Sequence, residues 1–314
     1  MPKEGLPHAQ ENESAQDYFS SQFREKETLK LAGGNAEVVD IAPEHQKNEV
    51  PVLMAPAWAC TMEVYRPALQ TLAEKQRRVI SLDHPRFGGD MSIAPEEAVG
   101  KYPNEELRKA MNILGVLDQK GIEKVDVVAH SEGAVNAVIA AVLHPEKFRT
   151  LVLVAPAGMI GEDTFTRLLK GFAGQSKGRG ESMNNPDFPL EIPISETEKK
   201  VGAVAAKEAI KYMAKNPVRA FREGRGIAKS QIHDMLAFLH EKGVGIVVMS
   251  GVDDPVFPME RMQEIAKADM LDGFLSVRGA HGAIGEHPEL YMTAADEMLT
   301  AVEEKKRKEK EHES

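Results

Sequence analysis

Lys124 to Ala141 reads KVDVVAHSEGAVNAVIAA, an apolar run that meets Ser131 and passes at once into a stretch rich in alanine and valine. Val125, Val127 and Val128 leave little polar surface, as in a strand buried on both faces. The residues after Ser131 predict a helix to Leu143, closed by Pro145. A strand that turns directly into a helix at a serine has two readings. The serine caps the helix, or it is a nucleophile held on a strained turn with its hydroxyl at the carboxyl edge of a sheet. Gly133 and Ala129 are small enough for helix and strand to approach, with Ala129 standing where the G-x-S-x-G pattern has its first glycine. This pentapeptide alone leaves both readings open.

Outward from this stretch, apolar runs alternate with helical periods. Strands are expected at Thr28–Leu31, Ala36–Ile41, VPVLMAP (50–56) and RRVISLD (77–83), then at 124–130, RTLVLVAP (149–156), GIVVMSG (245–251) and FLSVRGA (274–280). Between 83 and 124, Leu107, Ala110, Met111, Leu114 and Leu117 fall on one helical face, with Gly121 at the C-cap. The alternation predicts an α/β fold, a mainly parallel doubly wound sheet of roughly eight strands. Residues 157–242 break the pattern. Loops rich in glycine and proline (GFAGQSKGRGESMNNPDFP, EIPIS) lead to helical stretches around Glu198–Lys215 and Gln231–Lys242, which read as an inserted helical cap. The expected organisation is a polar segment over 1–20, a core from 21–156 and 243–304, the cap at 157–242, and a charged tail over 305–314 that extends the last helix.

Composition narrows the function. The 314 residues are 42% hydrophobic and 28% charged, which is globular composition. A net charge of -10 argues against nucleic acid as a partner, since binding phosphates takes a basic face. Cys60 is the single cysteine, so neither a disulfide framework nor a thiolate metal cluster can form within the chain. No apolar run reaches membrane-spanning length and the N-terminal residues lack a signal-peptide core, making the cytoplasm the expected location. Metal and nucleotide motifs are likewise missing, so neither a cofactor nor a metal is expected.

Two further strand ends carry suitable chemistry. VDDPVFP follows GIVVMSG, and His281 follows FLSVRGA. A serine hydroxyl needs a base within hydrogen-bond reach, and the base needs an acceptor to fix its tautomer. Ser, Asp and His therefore stand in a workable order, each just after a strand. Taken singly, Asp254 is as readily a turn residue and His281 a loop residue.

In this arrangement the chain resembles the α/β-hydrolase superfamily, in its serine-nucleophile branch, over nearly its whole length outside the two ends. The Gly-x-x-Asp-Pro-x-x-Pro pattern of that family falls on Gly251, Asp254, Pro255 and Pro258, favouring Asp254 over Asp253. The Glu-x-Pro that follows the family's histidine falls on Glu286 and Pro288. The resemblance implies a catalytic Ser131, His281 and Asp254, with an oxyanion hole made by the backbone N–H groups of Trp58 and Glu132. Pro56 and Ala57 stand in place of the usual His-Gly before Trp58. DHPRFGGD (83–90) resembles the loop that packs beneath the active site, with Asp83 and His84 expected to brace loop backbone rather than act as a second acid and base. Ala57 and Gly133 complete the expected pocket.

The activity so implied is hydrolysis of a small-molecule carboxylic ester or thioester through an acyl-enzyme. Acyl transfer, carbon–carbon bond hydrolysis, cofactor-free haloperoxidation and a noncatalytic binding role on the same fold are the alternatives. Cys60 reads as a buried thiol, and Arg219, Arg222 and Arg225 as a solvated helix face. Whether the Glu132 side chain faces the pocket or the helix packing, and whether the Trp58 ring lines the pocket, the sequence leaves open.

Overall fold

The computed structural model describes residues 18–31, 34–85, 94–161, 163–181, 196–266 and 270–313. Its core is one eight-stranded sheet in the order β1-β2-β4-β3-β5-β6-β7-β8. The strands are β1 (Glu27–Leu31), β2 (Gly34–Ile41), β3 (Val52–Ala55), β4 (Val79–Asp83), β5 (Val125–His130), β6 (Phe148–Val154), β7 (Gly245–Gly251) and β8 (Gly273–Val277). β1 and β2 join antiparallel at one edge, and all pairs from β4 to β8 are parallel. Parallel strands need covered faces, which explains why β3 and β5 are buried at every residue.

Period-two alternation divides the core. Val125, Val127 and Ala129 point to one apolar layer, beneath α2 (Asn104–Gln119) and α3 (Glu132–Leu143). Val128 points to the other, beneath α1 (Arg66–Glu74) and the helix Pro288–Glu313. The expected face of α2 is found, and Gly121 adopts φ +62° after its end. At the far end of β5, buried Asp126 is bound by the Arg149 guanidinium, the partner its burial demands.

Between β6 and β7 the described chain is helical: α4 (Phe165–Glu181), α5 (Glu196–Lys215), α6 (Pro217–Lys229) and α7 (His233–Glu241). α7 packs on α3 and sends Leu236 and Leu239 into the core. The expected loop at GFAGQSKGRGE is instead the continuation of α4. Gly171 serves packing rather than a turn: a Cβ on it would lie 2.7 Å from the Pro255 carbonyl oxygen. The rest of that expected loop, with EIPIS, lies outside the described residues, as do most of the polar N-terminal segment and residues 86–93 of the DHPRFGGD region. No helix among the described residues is long and apolar enough to cross a membrane.

Candidate active site

Every group of the site hangs from the carboxyl edge of the parallel strands. Ser131, between β5 and α3, has φ 54° and ψ -118°, a conformation a side-chain-bearing residue holds only when its surroundings enforce it. Its N–H donates to the Val154 carbonyl at 3.0 Å, while its carbonyl accepts from Ala134 and Ala157, each at 3.1 Å. Gly133 is obligatory: a Cβ there would sit 2.4 Å from the Ala55 carbonyl oxygen. Ala129 needs no glycine, because its methyl group packs in the core layer. No side-chain capping bond is made by Ser131, so the hydroxyl is left for another partner.

That partner is His281. Its Nε2 is 2.9 Å from Ser131 Oγ, and its Nδ1 is 2.9 Å from Asp254 Oδ2. Asp254 Oδ1 accepts the N–H groups of Val256 (2.7 Å) and Phe257 (3.0 Å), which fixes the carboxylate plane. The two loops meet through backbone: Asp253 N–H donates to the Gly279 carbonyl at 3.1 Å, an approach that a Cβ on Gly251 would block at 2.3 Å. Ser131, Asp254 and His281 are all buried. Phe172 of α4 and Phe257 stand edge-on to the imidazole, at 5.7 and 5.2 Å between ring centres.

Beside Ser131 lies a cavity of about 260 Å³, walled by Ala57, Trp58, Cys60, Tyr65, Phe172, His281 and Glu286, with Ala205, Ala206 and Ala209 of α5 opposite. Trp58 is therefore part of the wall. As the first residue of α3, Glu132 has an N–H with no intrahelical acceptor. Cys60 is half-buried and its thiol is pushed up to about 12 by desolvation, so it is no thiolate nucleophile at neutral pH. Among the described residues, no three His, Cys, Asp or Glu side chains gather as metal ligands.

Behind the wall runs a buried chain of hydrogen bonds that the sequence did not disclose. His130 Nε2 is 2.9 Å from the His281 carbonyl, which can only accept, so Nε2 carries the proton and Nδ1 is an acceptor. Tyr65 O–H donates to that Nδ1 at 2.8 Å and accepts the Ala57 N–H at 3.0 Å. The loop of His281 and the loop of Trp58 are thus joined through two side chains. Desolvation, helped by the His281 ring nearby, lowers His130 to about 3 and keeps it neutral.

Across the Trp58 loop is a second, polar cavity of about 30 Å³, lined by His84, Lys109, Glu132, Tyr212, Arg219 and Glu223 among others. The Glu132 side chain points here: Lys109 Nζ lies 2.6 Å from its Oε1 and 3.2 Å from Glu223 Oε1 on α6. Burial pulls Lys109 down, but Glu132, Glu223 and Glu106 outweigh that and hold it above its usual range. Desolvation, then repulsion from Glu132, raises Glu106 well above a normal carboxyl. Asp83 braces the loop, its Oδ1 accepting the Met62 N–H at 2.7 Å. His84 makes no such bond: both ring nitrogens are buried without a partner, and burial drives its pKa well down. Arg222 and Arg225 are exposed, whereas Arg219 turns inward to Glu223 at 3.1 Å.

Comparison with known proteins agrees with this architecture. A family model described as the alpha/beta hydrolase fold matches residues 50–183. A 2-hydroxymuconate semialdehyde hydrolase from Pseudomonas putida is 37% identical over 87 residues, 28% of this chain and 29% of that protein. This shared stretch is thus under a third of that relative's length. A 2-hydroxy-6-oxo-6-(2'-aminophenyl)hexa-2,4-dienoic acid hydrolase from Metapseudomonas resinovorans is 25% identical over 75% of this chain and 78% of its own. Among solved structures, an esterase from Exiguobacterium antarcticum has a TM-score of 0.61 and 18% identity, over 88% of this chain and 98% of that one. The serine-bearing turn, the strand order and these likenesses converge: the chain has the α/β-hydrolase fold, and residues 50–183 match that family's model.

Proposed function

We propose that the protein is a serine hydrolase that cleaves a small-molecule carboxylic ester or thioester through an acyl-enzyme on Ser131. The observation carrying this reading is the pair of 2.9 Å contacts linking Ser131 Oγ, His281 and Asp254 at the edge of an apolar cavity. Ser131 Oγ attacks the substrate carbonyl while His281 Nε2 takes its proton, and Asp254 stabilises the imidazolium that results. The N–H groups of Trp58 and Glu132 receive the oxyanion. Collapse expels the alcohol or thiol, protonated by His281. A water then gives its proton to His281 and attacks the acyl carbon, releasing the acid and restoring Ser131.

A second reading, hydrolysis of a carbon–carbon bond, is favoured by the names of the two curated relatives. The cavity supports the ester reading over it for anionic substrates. Its described lining contains neither lysine nor arginine, and it includes Glu286. A carboxylate placed there finds no lysine or arginine among the described lining residues, an unfavourable setting for an anion.

Steady-state turnover of p-nitrophenyl acetate and butyrate, of an anionic succinate half-ester, and of 2-hydroxymuconate semialdehyde tests the choice. The neutral esters are expected to exceed the anionic one in kcat/KM by at least about 10-fold, the weight of one unfavourable charge contact. Turnover of the semialdehyde with no turnover of neutral esters would replace the ester reading with the carbon–carbon one.

A further inference from the structure

Both residues expected to supply the oxyanion N–H groups have side chains tied to one carboxylate on the cap. Trp58 Nε1–H donates to Glu223 Oε2 at 3.0 Å. Glu132 is reached through Lys109, whose ammonium spans 2.6 Å to Glu132 and 3.2 Å to Glu223. Tyr212 O–H from α5 adds 2.6 Å to Glu223 Oε2, and Arg219 Nε adds 3.1 Å to Oε1. Glu223 is thus a buried carboxylate, 1% exposed, with four donors converging on it. An ion so buried is tolerated only with such partners, so its position is sharply defined.

The helix carrying it cannot shift without penalty. Gly224 lets α6 press against Phe165 and the Trp58 ring: a Cβ there would lie 2.4 Å from Phe165 Cε2 and 3.3 Å from the indole. Gly226 allows the same approach to Glu106, at 3.1 Å from its Oε1. This cluster is not built to bind a ligand. Glu105, Glu132 and Glu223 are matched by Arg108, Lys109 and Arg219, and the cavity of about 30 Å³ has room for little beyond water.

We infer that Glu223 is a positioning residue: it couples seating of the cap to assembly of the oxyanion hole, holding Trp58 directly and Glu132 through Lys109. This rests on the acyl-transfer reading above. It follows that α6 is a structural part of the site rather than a cover, and that lifting it releases the Trp58 loop. A donor moved by a fraction of an ångström from the oxyanion loses most of its preference for the transition state, which lowers kcat and spares KM.

Trp58 is the single tryptophan, so its fluorescence reports this contact without interference. The test compares wild type, Glu223→Gln, Trp58→Phe and the double variant on a neutral ester, with fluorophosphonate labelling of the wild type alongside. Glu223→Gln is expected to lower kcat by about 10- to 100-fold with KM held within about 2-fold. Its Trp58 emission should shift to the red and acrylamide quenching should rise. Trp58→Phe should lose a similar factor, and the double variant should be no slower than the slower single, since both changes break one link.

Wild-type kcat in Glu223→Gln, or losses that multiply in the double variant, would overturn the coupling while leaving a labelled Ser131 intact. A folded wild type that resists the label fails at the earlier step, and the acyl-transfer reading and the coupling fall together. If Glu223→Gln does not fold, Trp58→Phe decides alone, and an unchanged kcat there overturns the inference.

Discussion

The two flanks of the loop from Ala57 to Cys60 differ as sharply as two sides of a wall can. On one side is an open, mostly apolar space of about 260 Å³ beside Ser131; on the other, a space of about 30 Å³ is crowded by Lys109, Glu132, Arg219 and Glu223. Opposite charges pair across the second side, which has room for little beyond water, while the first offers shape and almost no charge. Substrate room and structural tension are thus separated by one stretch of backbone, and the loop between them is the element that both control. Under the proposed acyl transfer, the open flank would admit the acyl group and the filled flank would fix the donors that receive its charge.

The largest effect that would sharpen this contrast is expected on the filled flank. Lys109→Met leaves Glu132 and Glu223 buried without their shared cation, and should destabilise the fold by about 3–5 kcal/mol in urea titrations. A loss under about 1 kcal/mol would mean that the cluster is better hydrated than its burial indicates.

Each flank also holds a neutral histidine, so acid should weaken both together. His130 titrates at about 3 in the folded protein against roughly 6.5 unfolded, and burial depresses His84 in the same direction. Below pH 6.5 the unfolded chain takes up protons that the folded chain refuses. The His130 contribution is therefore complete above 6.5 and falls as the pH drops toward 3, by about 1.4 kcal/mol per pH unit, and His84 acts in the same direction. Urea midpoints of wild type and His130→Asn between pH 7 and 5 measure the share due to His130, and equal slopes would remove it.

On the open flank a smaller, purely kinetic effect is expected. Ala209 of α5 lines the same cavity as Ser131, and Ala209→Leu should cut kcat/KM for the longest accepted acyl chain by about 10-fold relative to acetyl. An unchanged ratio would place the acyl group elsewhere.

Much of this was legible in the chain itself. Ser131, Asp254 and His281 are readable because each follows an apolar strand, and a parallel sheet must bring such ends to one edge. The substitution of glycine by Ala129 did not obscure the turn, since the steric demand there falls on Gly133. What stayed hidden depends on distance along the chain. Tyr65 meets His130, and Trp58 meets Glu223, across 65 and 165 positions, and no local pattern marks a buried polar pair of that kind. The glycines of α4 misled for a related reason: Gly171 reads as a turn residue until the Pro255 backbone is found against it. Arg219 was indistinguishable from its exposed neighbours Arg222 and Arg225 until Glu223 gave it a partner.

The most direct test of the account is intact-mass analysis after fluorophosphonate treatment of wild type, Ser131→Ala and His281→Ala, each first shown to be folded. One adduct on wild type, mapped to Ser131, absent from the serine variant and slowed by at least about 10³-fold in the histidine variant, is the predicted result. An adduct that persists in Ser131→Ala, or forms as fast without His281, would contradict the assignment of nucleophile and base.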